Sequence, residues 1–238
     1  MATNARAVIK ISCIFRGVNG GRGKASVEWE KNDQGSAVAT TRKNSSSTLF
    51  TLNVELVDTT PLIWRQIVIN GDASFAMLHH VIQAAMGWQD VHLHEFRVGN
   101  MRIGVPDAEY DEPDQPVAVE KRIRLDRRLA MGSSFTYLYD FGDSWEHRIS
   151  VEQVRARDDR YNDGPVAGVE AGERACPPED AGGVERYHEF VEIYESDPYG
   201  EETEQMRTWA GLEFDPARFD RPAANAAITR MLANGWIK

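Results

Sequence analysis

Residues 135–152 read FTYLYDFGDSWEHRISVE. Two runs of alternating aromatic and aliphatic residues flank Phe141-Gly142-Asp143-Ser144, the punctuation of a β-hairpin. Side chains alternate across a strand, so Tyr137 and Tyr139 share one side of the first run. Trp145, His147, Ile149 and Val151 share one side of the second. Asp140, Asp143 and His147 then crowd one turn and the strand beside it. Such a cluster is either a polar lock on the hairpin or the rim of a site.

The same periodicity extends outward. Phe50, Leu52, Val54 and Leu56 alternate with Thr51, Asn53 and Glu55, the pattern of a half-buried strand. A turn over Asp58–Pro61 leads to a return strand, Leu62–Ile69, which makes the pair a hairpin. Ser74 suits the N-cap of a helix over Phe75–Met86, with Phe75, Leu78, Ile82 and Met86 on its apolar stripe and Gly87 at the left-handed stop. Val91–Val98, reading VHLHEFRV, predicts a strand with His92, His94, Phe96 and Val98 on one face. Met101–Ile103 adds a short one. Residues 155–183 read as loop, and helices are predicted over 184–194, 201–212 and 223–234. Strands early and helices late define an α+β domain, an antiparallel sheet of hairpins with one early helix and C-terminal helices packed on it.

Residues 1–48 differ in character. Val8–Phe15 alternates as a strand and Val27–Trp29 suits a short second one. Between them GVNGGRG, Gly17–Gly23, is a flexible turn; it lacks the Gly-Lys-Ser/Thr ending of a phosphate loop. Asn32–Thr48 is polar, Ser/Thr-rich and reads as linker. The chain is thus expected to divide into an extension, residues 1–48, and a main domain, residues 49–238.

Of 238 residues, 42% are hydrophobic and 27% charged, which fits a soluble globular protein. The absence of a membrane-length apolar run and of a signal-peptide pattern predicts a cytoplasmic protein with no membrane partner. A net charge of −10 opposes broad nucleic-acid binding. The remaining route to nucleic acid is the extension, through Arg16, Arg22, Lys24, Arg42 and Lys43, diluted by Glu28, Glu30 and Asp33. A protein partner is the expected contact, with Asp107–Asp114 and the Glu201–Glu204 run as acidic surfaces. Cys13 and Cys176 are too few for a disulfide framework.

Chemistry-bearing residues concentrate in the imidazoles. His92 and His94 form a His-x-His pattern whose rings point the same way, so both reach one metal ion if a neighbouring element supplies a third ligand. His147 completes the expected metal trio, with His79, Asp140 and Asp143 as further members of the site. An open position on such an ion would activate water for hydrolysis, with Glu95 or Glu146 as base. The competing reading is structural: imidazoles plugged into an aromatic core of Trp64, Trp88, Phe96 and Trp145. Arg65, on a half-buried strand, either pairs with Asp140 or Asp143 or clamps an anionic ligand. Cys176 with His188 is a further candidate pair, and Glu179 and Asp180 suit the N-terminal dipole of the helix that follows. No cofactor is specified; a divalent metal ion is the candidate. Two functions follow, a non-enzymatic binding module or a metal-dependent hydrolase acting on phosphodiesters.

Several blocks resemble the plasmid pRiA4b ORF-3-like family: Leu62-Ile63-Trp64-Arg65, Leu78-His79, Ile82-Gln83, Met86-Gly87-Trp88 and His92-Leu93-His94-Glu95-Phe96. Tyr139 to His147 (YDFGDSWEH) and Cys176-Pro177-Pro178-Glu179-Asp180 extend the likeness in the same order. The resemblance runs from about Phe50 to the C-terminal helix and implies an α+β domain with helices against an antiparallel sheet. It implies a passenger protein of mobile elements or plasmids, sometimes called resolvase-like. No serine-recombinase pattern or helix-turn-helix stands out to match that last label. Relatives often carry a second cysteine after Cys-Pro-Pro-Glu-Asp, where this chain has Ala181; the resemblance therefore does not carry a two-cysteine role to that loop.

Overall fold

The structure is a computed structural model that describes residues 9–16, 22–31, 37–42, 48–107, 115–157, 167–211 and 214–234. The chain divides into two compact units, Met1–Ser46 and Ser47–Lys238. In the first, β1 (Ile9–Arg16), β2 (Arg22–Lys31) and β3 (Ala37–Arg42) form a three-stranded antiparallel sheet in that order. Strand β3 corrects the expectation of a linker: Ala37 pairs with Lys31 and Arg42 with Ser26. Its Val-Ala-Thr-Thr centre suits a pleated backbone although it lacks an apolar pattern. Most of the glycine-rich turn lies outside the described residues, as does most of the acidic loop 107–115.

Among its described residues the second unit holds eight strands: β4 (Thr48–Leu56), β5 (Ile63–Asn70), β6 (His94–Val98), β7 (Met101–Gly104), β8 (Val117–Val119), β9 (Ser134–Tyr139), β10 (Trp145–Ala156) and β11 (Ala167–Glu173). Their order across the sheet is β11-β5-β4-β10-β9-β6-β7-β8. All neighbours are antiparallel except β7 and β8. Among the described residues four α-helices accompany them, α1 (Phe75–Met86), α2 (Gly183–Ser196), α3 (Glu201–Ala210) and α4 (Arg221–Ala233). This is the α+β fold that the segregation of strands and helices predicts. Strand β11 was not expected; its AGVEAGE sequence carries little apolar signal, and pairing with β5 makes it a strand. Among the described residues no helix is long and apolar enough to cross a membrane.

Helix α1 begins and ends as the sequence dictates. The Ser74 hydroxyl accepts the Met77 N–H at 3.2 Å, and Gly87 closes the helix at φ 96°. It is buried on most sides, His79 and Gln83 included, because it packs against the sheet and against α4. The acidic first turn of α3, with Glu201, Glu202 and Glu204, complements that helix's N-terminal dipole.

Register decides which residues meet. Directly paired residues share a face of the sheet, so one buried row runs Ile63–Leu56–His147–Tyr137–Phe96–Ile103 across six strands. The next row toward the hairpin turn is Trp145–Tyr139–His94. His147 thus occupies the middle of the sheet and is fully buried. On β5 the inward positions are Ile63, Arg65, Ile67 and Ile69. Trp64 is only half-buried, which corrects its place in the expected aromatic core. Trp88, Tyr139 and Trp145 instead pack together at the end of the sheet as tilted rings, with centroids 4.8 and 6.2 Å from Trp88.

Candidate metal centre

Beyond the Trp145–Tyr139–His94 row the sheet ends, and three segments converge there. The first is Val91–Leu93, an irregular lead into β6 rather than the expected strand start. The second is the turn 140–144 between β9 and β10. The third is the Cys176–Gly183 loop before α2. Hydrogen bonds lash them together: Asp140 N–H to Leu93 O at 2.9 Å, Val91 N–H to Tyr139 Oη at 3.2 Å, and Gly182 N–H to Asp143 Oδ2 at 2.9 Å. Gly183, at φ 84°, lies where a Cβ would come 3.0 Å from Asp143 O, so the loop needs glycine to sit this close.

At the junction, His92 Nε2 faces Asp180 Oδ1 at 3.3 Å, Asp140 Oδ2 at 3.6 Å and Glu179 Oε2 at 3.7 Å. Among the described residues this nitrogen is buried and has no hydrogen-bond partner. Two of the carboxylates are held by their other oxygen. Asp140 Oδ1 accepts the Gly142 N–H at 2.9 Å; Glu179 Oε1 accepts the Gln89 N–H at 2.7 Å and the Tyr139 hydroxyl at 3.1 Å. The other oxygen of each faces the imidazole, although Glu179 Oε2 also lies 3.3 Å from the Tyr139 hydroxyl. Charge-assisted hydrogen bonds run about 2.7–2.9 Å, so these spacings are too long for an imidazolium bonded to carboxylates. Ligand bonds of about 2.1 Å place tetrahedral donor atoms about 3.4 Å apart; one ligand atom each from His92, Asp140 and Asp180 lies within 4.8 Å of the other two, and Glu179 stands outside that group. Asp140 and Asp180 both adopt left-handed backbone, φ 56° and 57°, a conformation that Asp tolerates but that clusters at functional sites.

A second group of His, Asp and Glu lies close by but is closed on itself. His79 Nε2 bonds Asp90 Oδ1 at 2.7 Å and its Nδ1 bonds the Tyr137 hydroxyl at 2.8 Å. Gln83 donates to the same hydroxyl at 2.9 Å and accepts the Asp90 N–H at 3.1 Å. His80 Nδ1 takes the other Asp90 oxygen at 2.9 Å. The His94 ring stacks on His79 at 3.4 Å and bonds Glu120 Oε2 through Nε2 at 2.7 Å. Burial pushes the His79 pKa down to about 4 despite Asp90, so the stacked pair carries at most one charge near neutrality. Burial pushes the Asp90 and Glu120 carboxyls up, but their imidazole bonds outweigh it and both stay below the usual range. Both His79 nitrogens are spent here, so a metal would have to displace existing bonds.

The expected trio His92, His94 and His147 does not surround one point. His147 lies in the same row as Phe96, four residues beyond His92, or about 13 Å along the strand direction. Its Nδ1 faces the carbonyls of Trp145 at 3.1 Å and Tyr137 at 3.3 Å, and burial lowers its pKa to about 4. His94 belongs with Glu120 and His79. Of the other site candidates, His92 and Asp140 meet at the junction, whereas Asp143 pins the loop. Glu95 is engaged by Arg97 and Arg102, each Nε at 2.7 Å, and Glu146 is exposed. Arg65 pairs with neither Asp140 nor Asp143. It donates to the carbonyls of Ala85, Trp64, Glu173 and Arg174 at 2.8–2.9 Å and lies 3.8 Å over the Phe219 ring. Cys176 is buried with its thiol pushed up, and His188 accepts the Thr60 N–H at 3.2 Å.

Glu179 and Asp180, read from sequence as helix-dipole residues, are the carboxylates at this junction that residue-by-residue reasoning missed. Their signal was present in the Cys-Pro-Pro-Glu-Asp block, which has no helical reason to sit beside His92.

The two buried imidazoles carry a testable pH dependence. With folded pKa values near 4 for His79 and His147 against 6.5 unfolded, the unfolded chain binds more protons between those values. Their contribution to stability is complete above pH 6.5 and is lost as pH falls toward 4. The urea midpoint is therefore expected to drop between pH 7.5 and 5.0; a flat profile would show that these rings do not stay neutral in the fold.

Relatives share this architecture. The uncharacterized protein y4hQ of Sinorhizobium fredii (strain NBRC 101917 / NGR234) is 35% identical over 189 residues, covering 79% of this chain and 93% of that protein. A crystal structure of MM3350 from Methanosarcina mazei Go1, a protein of unknown function, matches with a TM-score of 0.65 and 34% identity, over 75% of this chain and 98% of that one. The model of the Plasmid pRiA4b ORF-3-like protein family matches residues 48–223, nearly the whole of the eight-stranded unit, and the chain belongs to that family.

Proposed function

We propose that the protein is a binding module whose working group is a divalent cation held by His92, Asp140 and Asp180, with the Glu179 carboxylate beside them. The observation that carries this reading is the buried, unbonded His92 Nε2 facing three carboxylate oxygens at 3.3–3.7 Å. One imidazole with two carboxylates suits Zn²⁺, Mn²⁺ or Fe²⁺, since the nitrogen donor disfavours Mg²⁺ and Ca²⁺. Equilibrium dialysis of untagged protein followed by elemental analysis tests it. About one equivalent of Mn²⁺ or Zn²⁺ is expected to be retained; far less than that after reconstitution would end the proposal.

The shell behind the donors gives a finer check. Tyr139 orients Glu179 through its hydroxyl, which lies 3.1 and 3.3 Å from the two carboxylate oxygens and also accepts the Val91 N–H. Tyr139→Phe is expected to weaken cation binding about tenfold, the usual cost of a lost outer-shell partner. Titration calorimetry would read it, and unchanged affinity would mean that the Glu179 carboxylate needs no such support.

A second reading, a metal-dependent hydrolase, is favoured by the placement of His94. His80, His92 and His94 line the same cavity of about 530 Å³, and Glu120 holds His94 by Nε2. That leaves Nδ1 as the nitrogen available to accept a proton from water. Metal-dependent cleavage of bis-p-nitrophenyl phosphate that is lost in His94→Gln would support it; no turnover in the metal-loaded protein would leave the binding module alone.

A further inference from the structure

Residues 120–129 read EKRIRLDRRL and hold the densest run of basic side chains in the chain. Two short 3-10 turns, Glu120–Arg122 and Leu125–Arg127, lay them across the N-terminus of α1. Three backbone bonds fix the run there: Phe75 N–H to Ile123 O at 3.0 Å, Leu125 N–H to Ala73 O at 2.9 Å and Asp126 N–H to Gly71 O at 2.8 Å. Leu125 and Leu129 are buried in the core and Ile123 packs against it, so the apolar side chains face inward. Arg122, Arg124, Arg127 and Arg128 are all exposed. Asp126 pairs with Arg124 at 2.5 Å and lies 3.8 Å from Arg127, while Asp72 adds a weaker attraction for Arg124. Among the described residues Arg122 and Arg128 form no ion pair. Lys121 is exposed too, but it borders the cavity wall that carries Asp107 and Glu120 and is not counted with them. A fixed ridge of four arginines against two carboxylates thus stands on a chain whose net charge is −10.

We propose that this ridge docks a short acidic segment of a protein partner, independently of the cation centre. Planar guanidinium forks match carboxylates, and a ridge already held in place loses little further freedom on binding. The run from Arg122 to Arg128 covers roughly 12–20 Å, between the rise of a 3-10 turn and that of a strand. An extended peptide of about four to six residues has that reach. A segment of this size meets all its charge within the ridge. A longer polyanion such as nucleic acid runs on over a surface of net negative charge, which opposes it. Exposed ion pairs are individually weak and screened by salt, so the contact is weak and salt-dependent.

The test is fluorescence anisotropy of the full chain with labelled hexaglutamate at low salt, repeated with labelled dodecathymidylate. Hexaglutamate is expected to bind the parent and to bind Arg122→Glu with Arg128→Glu at least about tenfold more weakly, since two attractions become repulsions. The control is Arg186→Glu with Arg230→Glu, two exposed positions outside the ridge that change the net charge equally. It is expected to lose less than about threefold. Unaltered melting of both variants shows that the fold is intact. Absence of hexaglutamate binding to the parent overturns the proposal, as does an equal loss in both variants, which would be an effect of net charge alone. Tighter binding of dodecathymidylate than of hexaglutamate, lost in the ridge variant, overturns the acidic segment in favour of nucleic acid.

Discussion

The double substitution Asp140→Asn with Glu179→Gln is expected to lower cation affinity by at least about 100-fold, more than the loss of one outer-shell partner. The substitutions were chosen to spare the fold. An asparagine side chain in place of Asp140 would keep an oxygen for the Gly142 N–H and tolerates the positive φ at that position. A glutamine side chain in place of Glu179 would keep an acceptor for the Gln89 N–H. What disappears is two negative charges, each with an oxygen facing His92, at 3.6 and 3.7 Å. If the double variant melts like the parent and no longer retains Mn²⁺, the loss belongs to the centre. Equal retention by both proteins would place the cation elsewhere.

The second large effect concerns stability. Arg65 is 1% exposed and among the described residues has no carboxylate partner; burial lowers its pKa to about 10, so it is charged at neutral pH. Four backbone carbonyls from β5, α1 and the end of β11 compensate it, with the Phe219 ring over its face. Arg65→Met removes the donors but leaves those carbonyls buried. The expected cost is about 3–5 kcal/mol, the range for breaking a buried, hydrogen-bonded charge. Arg65→Lys should recover only part of it, because an ammonium cannot match the planar five-donor fork. Urea unfolding would measure both. A loss below about 1 kcal/mol for Arg65→Met would mean that water reaches the freed carbonyls.

The arginine and the histidines mark where sequence reasoning succeeded and where it stopped. Alternation on β5 places Arg65 inward, but a charge in an apolar strand only states that partners exist. The partners are carbonyls at the ends of three elements, information that no side-chain pattern carries. His92 and His94 share a His-x-His spacing, yet the strand begins only at His94. One residue of irregular backbone separates them into different clusters. His147 reads like a third ligand because it neighbours Asp143 along the chain; in the sheet it sits in the central row, two rows from the site.

Period-two and period-three-and-a-half patterns, with Ser74 and Gly87 as stops, were enough by themselves to define the hairpins, the early helix and the α+β class. Burial of one face per element is a local property, written in the order of residues. Which carboxylates meet His92 was decided by tertiary structure alone. Glu179 and Asp180 arrive from a loop far along the chain, held there by the hairpin turn and by Gln89. Convergence of distant loops depends on strand order and register, and those are set by packing of the whole sheet.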